Sequence, residues 1–193
     1  MISDLKQAIY NWLSRWYRRF KAFVYLFAIW AVIYSTVSIC GFSIAFEYDD
    51  GLVYSADSFL KARDFNGDEF WAILNSNAEL DRTKIIPGLI YYAARFFGFS
   101  TDIIADRRDI NSSNLIKRWH ASQIYFIMDS NQKYELLNTK RYLIFFASSD
   151  DGIIQAKKAG IKTLRIKRNP KSLLSLPSNP GKFSEPVIPL SQF

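Results

Sequence analysis

The stretch FSIAFEYDDGLVYSADSF, Phe42 to Phe59, decides how the chain is read. Phe42, Ile44 and Phe46 alternate with small residues, which is the period of a strand with one buried face. Glu47, Tyr48, Asp49, Asp50 and Gly51 follow at once, where a strand has to end. Carboxylates at the C-terminal tip of an apolar strand stand where open α/β sheets build their sites.

Outward from this strand, apolar runs of two kinds alternate. Short apolar runs predict further strands at Thr101–Ile104, Gln123–Met128, Tyr142–Phe146 and Thr163–Ile166, the last taken as the final parallel strand. Between them, helical periodicity predicts helices at Asp68–Asn75, Thr83–Phe97, Asn111–Trp119, Asn131–Leu137 and Gly152–Ala159. Pro87 falls in the first turns of the second helix and Gly98 ends it, while Asn111 or Ser112 caps the third. Such alternation predicts an α/β domain over residues 42–193, three-layered and Rossmann-like, with a mostly parallel sheet. The tail from Asn169 carries five of the six prolines and is expected to run extended over the surface.

An apolar helix precedes this domain. Residues 22–40, AFVYLFAIWAVIYSTVSIC, carry no charge, and Arg15, Arg18, Arg19 and Lys21 stand just before them in a basic, amphipathic segment, residues 1–21. A run of this length with bases on one side fits a single-pass signal anchor in an inner membrane, with the following domain on the periplasmic side. Two alternatives compete with it. A cleavable signal peptide lacks its small-residue cleavage pattern, and Ile39 spoils a lipoprotein-like reading of Cys40. A hydrophobic helix packed on the domain is favoured by the single residue, Gly41, between the run and the first strand.

The balance of residues narrows the classes further. Aromatics make up 17% of the chain and hydrophobic residues 49%, which is rich for a soluble domain. The formal charge of +7 has no arginine-rich arm or nucleic-acid module beside it, so no nucleic-acid partner is expected. One cysteine, Cys40, excludes an internal disulfide and a cysteine-based zinc site. One histidine, His120, excludes a histidine cluster and reads as a surface or partly packed residue rather than a ligand.

Taken together, four segments resemble a known family. FEYDDGLVYSADSF, the Phe70–Trp71 pair, the strand ending in ADR at residues 105–107, and KYELLNTKRYLIFFASSDDGIIQAKKAGIKTLRIKRNP follow in the order and spacing of the haloacid dehalogenase (HAD) superfamily. The likeness is to its class B acid phosphatases, with LPSNPGKFSEPVIPLSQF similar to their C-terminal extension. It covers residues 42–193 and implies a HAD-like fold. Phosphatases of this family use an aspartate nucleophile, a second aspartate two residues on as general acid/base, a hydroxyl and a lysine on the phosphoryl group, and magnesium.

Carried over by position, the resemblance puts Glu47 at the nucleophile, Asp49 at the general acid/base and Lys133 at the phosphate-binding lysine. Arg107 matches a phosphate-side arginine, and Glu47, Asp49 and Asp150 fall on or beside the metal positions, with Asp151 a fourth carboxylate nearby. The departures are as telling. Glu47 is one methylene too long, and such misplacement costs about a hundredfold in rate. Gly51 replaces a threonine, Ala105 and Asp106 replace the hydroxyl and glycine of the second motif, Ser148 replaces a metal-binding aspartate and Gly152 the last aspartate. Loss of a carboxylate weakens a hard-cation site.

The residues therefore imply a degenerate site in a membrane-anchored protein that acts through an unidentified protein partner, with no cofactor expected. A weak or altered magnesium-dependent phosphomonoesterase is one alternative, and a phosphate or nucleotide sensor using Lys133 and Arg107 is another. An exclusion- or immunity-type role follows from topology alone, and the family implies a homo-oligomer. Lys133 reads otherwise as a solvated helix-start lysine or a base held by Asp49, and Arg107 and Arg108 as surface partners of Asp106 and Asp109.

Overall fold

A computed structural model of the chain describes residues 2–120 and 122–193, with side chains from residue 12 onward. Its first element is α1 (Ile2–Ile39), and the expected basic segment and apolar run form this one uninterrupted helix. Trp12–Ile39 is long and apolar enough to cross a membrane, and none of its most apolar window is buried against the domain. α1 is therefore no core helix.

After Gly41, β1 (Ser43–Glu47) enters a six-stranded sheet with β4 (Ser100–Ala105), β5 (Gln123–Phe126), β6 (Ile144–Ala147), β7 (Lys162–Ile166) and β8 (Val187–Ile188). Their order is β5-β4-β1-β6-β7-β8, and every pairing in it is parallel. The architecture expected from the alternating pattern is present: α/β, with helices on both faces of a parallel sheet. Two elements of the sheet depart from expectation. The tail does not simply lie over the surface; it returns as β8, in register with β7 at Arg165 and Val187 and bonded by Arg165 N donating to the Pro186 carbonyl at 2.8 Å, so Thr163–Ile166 is not the last strand. Tyr142 lies outside β6, where its hydroxyl donates to Asp102 Oδ2 at 2.7 Å.

Alternation along β1 sorts the core. Ile44 and Phe46 face a cluster with Tyr91 of α4 (Ile85–Phe96) and Leu115 of α5 (Ser113–Arg118). Ala45 faces the other cluster, with Leu137 of α6 (Ser130–Lys140) and Ile153 and Ala156 of α7 (Asp150–Lys158). Phe46 and Phe146 stack across β1 and β6 with ring centroids 4.4 Å apart, the kind of cross-strand pair that fixes register. Two steps beyond Ala45, Glu47 shares its parity and points toward α6 and α7.

Over the C-terminal ends of the strands sit α2 (Ala56–Ala62), α3 (Gly67–Ser76) and a small antiparallel pair, β2 (Val53–Tyr54) with β3 (Arg82–Thr83). α2 was not foreseen, since ADSFLKA is too short for its period to stand out. Thr83 belongs to β3, so α4 starts two residues later than expected.

Candidate functional site

Three strand ends and one helix supply the site. Glu47 closes β1, Asp106 and Arg107 follow β4, Ser148 and Ser149 follow β6, and Lys133 projects from the first turns of α6. Buried, the Glu47 carboxylate accepts from Ser148 N at 2.7 Å, Ser149 N at 2.9 Å, Ser148 Oγ at 3.1 Å and Ser149 Oγ at 2.5 Å. Ser149 also caps α7 by accepting from Gly152 N at 2.9 Å. Burial would raise the Glu47 carboxyl; Lys133 and the Ser149 and Ser148 hydrogen bonds outweigh it and hold the group below its ordinary range.

Gly152 is what admits this long side chain. A Cβ there would collide with Glu47 Oε1 and stand 2.9 Å from its Cδ and 3.1 Å from Ala147 Cβ. The carboxylate of Glu47, carried outward by the longer side chain, thus occupies the room a side chain at residue 152 would need.

Asp49 is held by an arginine. Arg107 donates from Nε to its Oδ2 at 2.9 Å and from Nη2 to its Oδ1 at 2.6 Å, a two-pronged pair, and from Nη2 to Asp81 Oδ2 at 3.1 Å. Its guanidinium carbon lies 4.8 Å from the Tyr48 ring centre, and Tyr48 donates to Asp81 at 2.7 Å. Burial alone would lower the arginine, but Asp49 and Asp81 raise it, so the charge is permanent. The expected surface pairing of Arg107 and Arg108 with Asp106 and Asp109 does not occur. Arg107 turns inward to two buried carboxylates, Asp49 and Asp81, for which the described residues offer no other ion-pair partner, and Arg108 reaches Asp68 at 2.6 Å in an exposed pair.

Lys133 is neither solvated nor held by Asp49. Its ammonium lies 2.7 Å from Asp106, 3.4 Å from Asp151 and 3.5 Å from Glu47, buried among all three. Burial would lower it; Glu47, Asp106 and Asp151 raise it. Asp106 is the strained partner. Burial pushes its carboxyl up to about 7, with Glu47 and Asp49 adding to that against the pull of Lys133.

Above this floor opens a cavity of about 730 Å³. Asp49, Asp106, Lys133 and Asp151 line its base, and Phe59, Phe70, Trp71, Met128, Leu173 and Leu176 form apolar walls. The Leu173–Leu176 wall comes from the tail, which is fastened below. Asp150 accepts from Arg165 Nη2 at 3.0 Å and from both the backbone and side-chain nitrogens of Asn179 at 2.7 Å. Arg165 also grips Glu185 at 2.8 Å and the Ser148 carbonyl at 3.0 Å. Asp50, in the left-handed region at φ 54°, accepts from Ser172 and lies 3.4 Å from Arg168.

These contacts test the magnesium ligands that the resemblance assigns. Ser148 Oγ lies 3.1 Å from Glu47 Oε2 and 3.1 Å from the Asp49 carbonyl, with one proton to share between them. The resemblance assigns these same two groups to magnesium, and a serine hydroxyl stands between them. Asp49 offers its carboxylate to Arg107 instead, and Asp150 offers its own to the tail. Among the described residues no three His, Cys, Asp or Glu side chains converge as a metal-holding group. The donor set does not fit a hard cation, which needs carboxylates free to turn toward it.

Glu47, Asp49, Arg107, Lys133 and Ser148 are thus brought together, while Asp150 faces the tail. Asp81, Ser149, Arg165 and Glu185 were missed as members of the network. Only Ser149 carried a local signal, as a cap before an apolar helix; the others become partners only through long-range folding. No protein-family model matches the chain, and no curated protein matches it.

Proposed function

We propose that this chain is a membrane-anchored, HAD-like domain that has given up phosphoryl transfer and works by binding another protein. One observation carries the reading: the Ser148 hydroxyl stands between Glu47 and the Asp49 carbonyl. Phosphoryl transfer needs a nucleophile free to attack and a cation to offset developing charge. Glu47 has both carboxylate oxygens engaged by serine donors, and the general acid/base position is clamped by Arg107. Lys133 faces three carboxylates, an environment that repels a phosphate, and Arg107 is wholly buried. The cavity's apolar walls around a polar floor suit a side chain of a partner better than a free anion. In this reading α1 is the single span, with the domain on the side opposite the arginines.

The test is turnover of a phosphomonoester by the full chain in detergent, with and without magnesium, beside Glu47→Asp combined with Ser148→Asp. Silence in the native chain and turnover in the variant support a site that was lost. Magnesium-dependent turnover by the native chain, abolished by Asp49→Asn, sinks the proposal in favour of a working phosphomonoesterase. Saturable phosphate or nucleotide binding without turnover supports a sensor instead.

A further inference from the structure

One flank of the domain, along α4, is unusually apolar. On α4 the outward residues are Ile85, Leu89, Tyr92 and Phe96, exposed by 65%, 61%, 59% and 58%, and no charged side chain interrupts that row. Exposed apolar rows of this kind on a folded domain mark a surface that meets something. At its C-terminal end the row meets Phe97, and the neighbouring strand starts carry Phe42 and Phe99, whose rings stack 6.4 Å apart.

This edge is continuous with α1. Trp30 Nε1 donates to the Phe96 carbonyl at 3.0 Å, their rings lie 5.2 Å apart, and Ser38 Oγ donates to the Gly98 carbonyl at 3.3 Å. Gly98, at φ 87°, has no Cβ, and one would stand 2.7 Å from the Tyr34 carbonyl and 2.8 Å from Ser38 Oγ, so α1 approaches the loop directly. An apolar groove runs between the two, lined by Phe27, Trp30, Ile33, Phe96 and Phe97 among others. Trp30 and Ser38 are about 12 Å apart along a helix axis. They lie within residues 22–40, which extend roughly 28 Å, about the thickness of the hydrocarbon layer. A span that includes Trp30 and Ser38 carries their domain contacts to the same depth.

We infer that the outer face of α4 from Leu89 to Phe96, with the Phe42–Phe97 tip, is seated in the lipid bilayer, in the leaflet through which α1 leaves it, while the start of α4 at Ile85 stays level with the site. The inference rests on α1 being a membrane span. β1 runs from this edge at Ser43 to the site at Glu47, so the cavity mouth faces away from the lipid. The domain stands upright on the membrane, open to a partner in the aqueous phase.

The experiment places single nitroxide labels on the full chain in phosphatidylcholine–phosphatidylglycerol vesicles. In a Cys40→Ser background, Leu89→Cys and Phe97→Cys report on the edge, Val32→Cys on the span and Leu173→Cys on the cavity wall. Collision with dissolved oxygen and with a water-soluble nickel chelate is read for each label. Labels at 89 and 97 are expected to favour oxygen over nickel as at 32, with 97 deeper than 89, while 173 favours nickel. Lipid exposure at 32 with water exposure at both 89 and 97 overturns the seating but leaves the span intact. Water exposure at 32 overturns both. Shielding of 89 and 97 from both reagents, with spin–spin broadening between chains, assigns the face to a second copy and also overturns the inference.

Discussion

Glu47 and Gly152 are sterically exclusive: the carboxylate of one fills the space where a Cβ of the other would stand. The pair changes as a unit. Gly152→Ala alone is expected to cost about 1–3 kcal/mol through overpacking. Glu47→Asp alone loses serine hydrogen bonds worth about 1 kcal/mol each. Combined, the shorter acid withdraws from residue 152, and the double variant is expected to be more stable than the sum of the single losses. Urea denaturation of all four proteins measures the coupling; strict additivity would mean that the two residues do not compete.

Arg107 should dominate stability among the charged residues. Arg107→Met leaves Asp49 and Asp81 buried without their cation, which costs about 3–5 kcal/mol. Arg107→Lys should recover little, because an ammonium cannot reproduce the two-pronged contact with Asp49. Arg108→Ala, which breaks only an exposed pair with Asp68, should change stability by less than about 1 kcal/mol. Comparable losses at 107 and 108 would contradict the buried network.

Asp106 makes stability depend on pH in an unusual direction. Unfolded, its carboxyl titrates near its ordinary value of 3.8; folded, it holds its proton up to about 7. Between those values the folded chain binds more protons, so this group's contribution falls as pH rises. Glu47 and Asp151, both held low, act oppositely: their stabilisation is present above their ordinary values and is lost as pH falls. Asp106→Asn should therefore gain stability relative to the native chain on going from pH 4 to pH 8. Denaturation midpoints across that range decide it, and parallel curves would refute the assignment.

Asp150 should govern the tail rather than the chemistry. Asp150→Ala frees Asn179 and removes one carboxylate from Arg165 while Glu185 remains. Limited proteolysis is expected to cut faster near residues 173–179, where the cavity wall loosens. A cleavage pattern like that of the native chain would show that β8 and Glu185 hold the tail without it.

The sheet was legible because short apolar runs such as Ile44–Phe46 and Ile144–Phe146 carry their signal in neighbouring residues. β8 was not, since Val187–Ile188 becomes a strand only by completing the edge beside β7. The carboxylates at the tip of β1 were found for the same local reason, as was the apolar stretch of α1. Their partners were not. Arg107 binding Asp49 across fifty-eight residues, and Ser148 binding Glu47 across one hundred and one, depend on which strands lie side by side. Local pattern is enough to place the main elements and the point where charge must gather. Which charges neutralise which was decided only by the tertiary structure, because burial leaves each ion to the nearest counter-ion that packing provides.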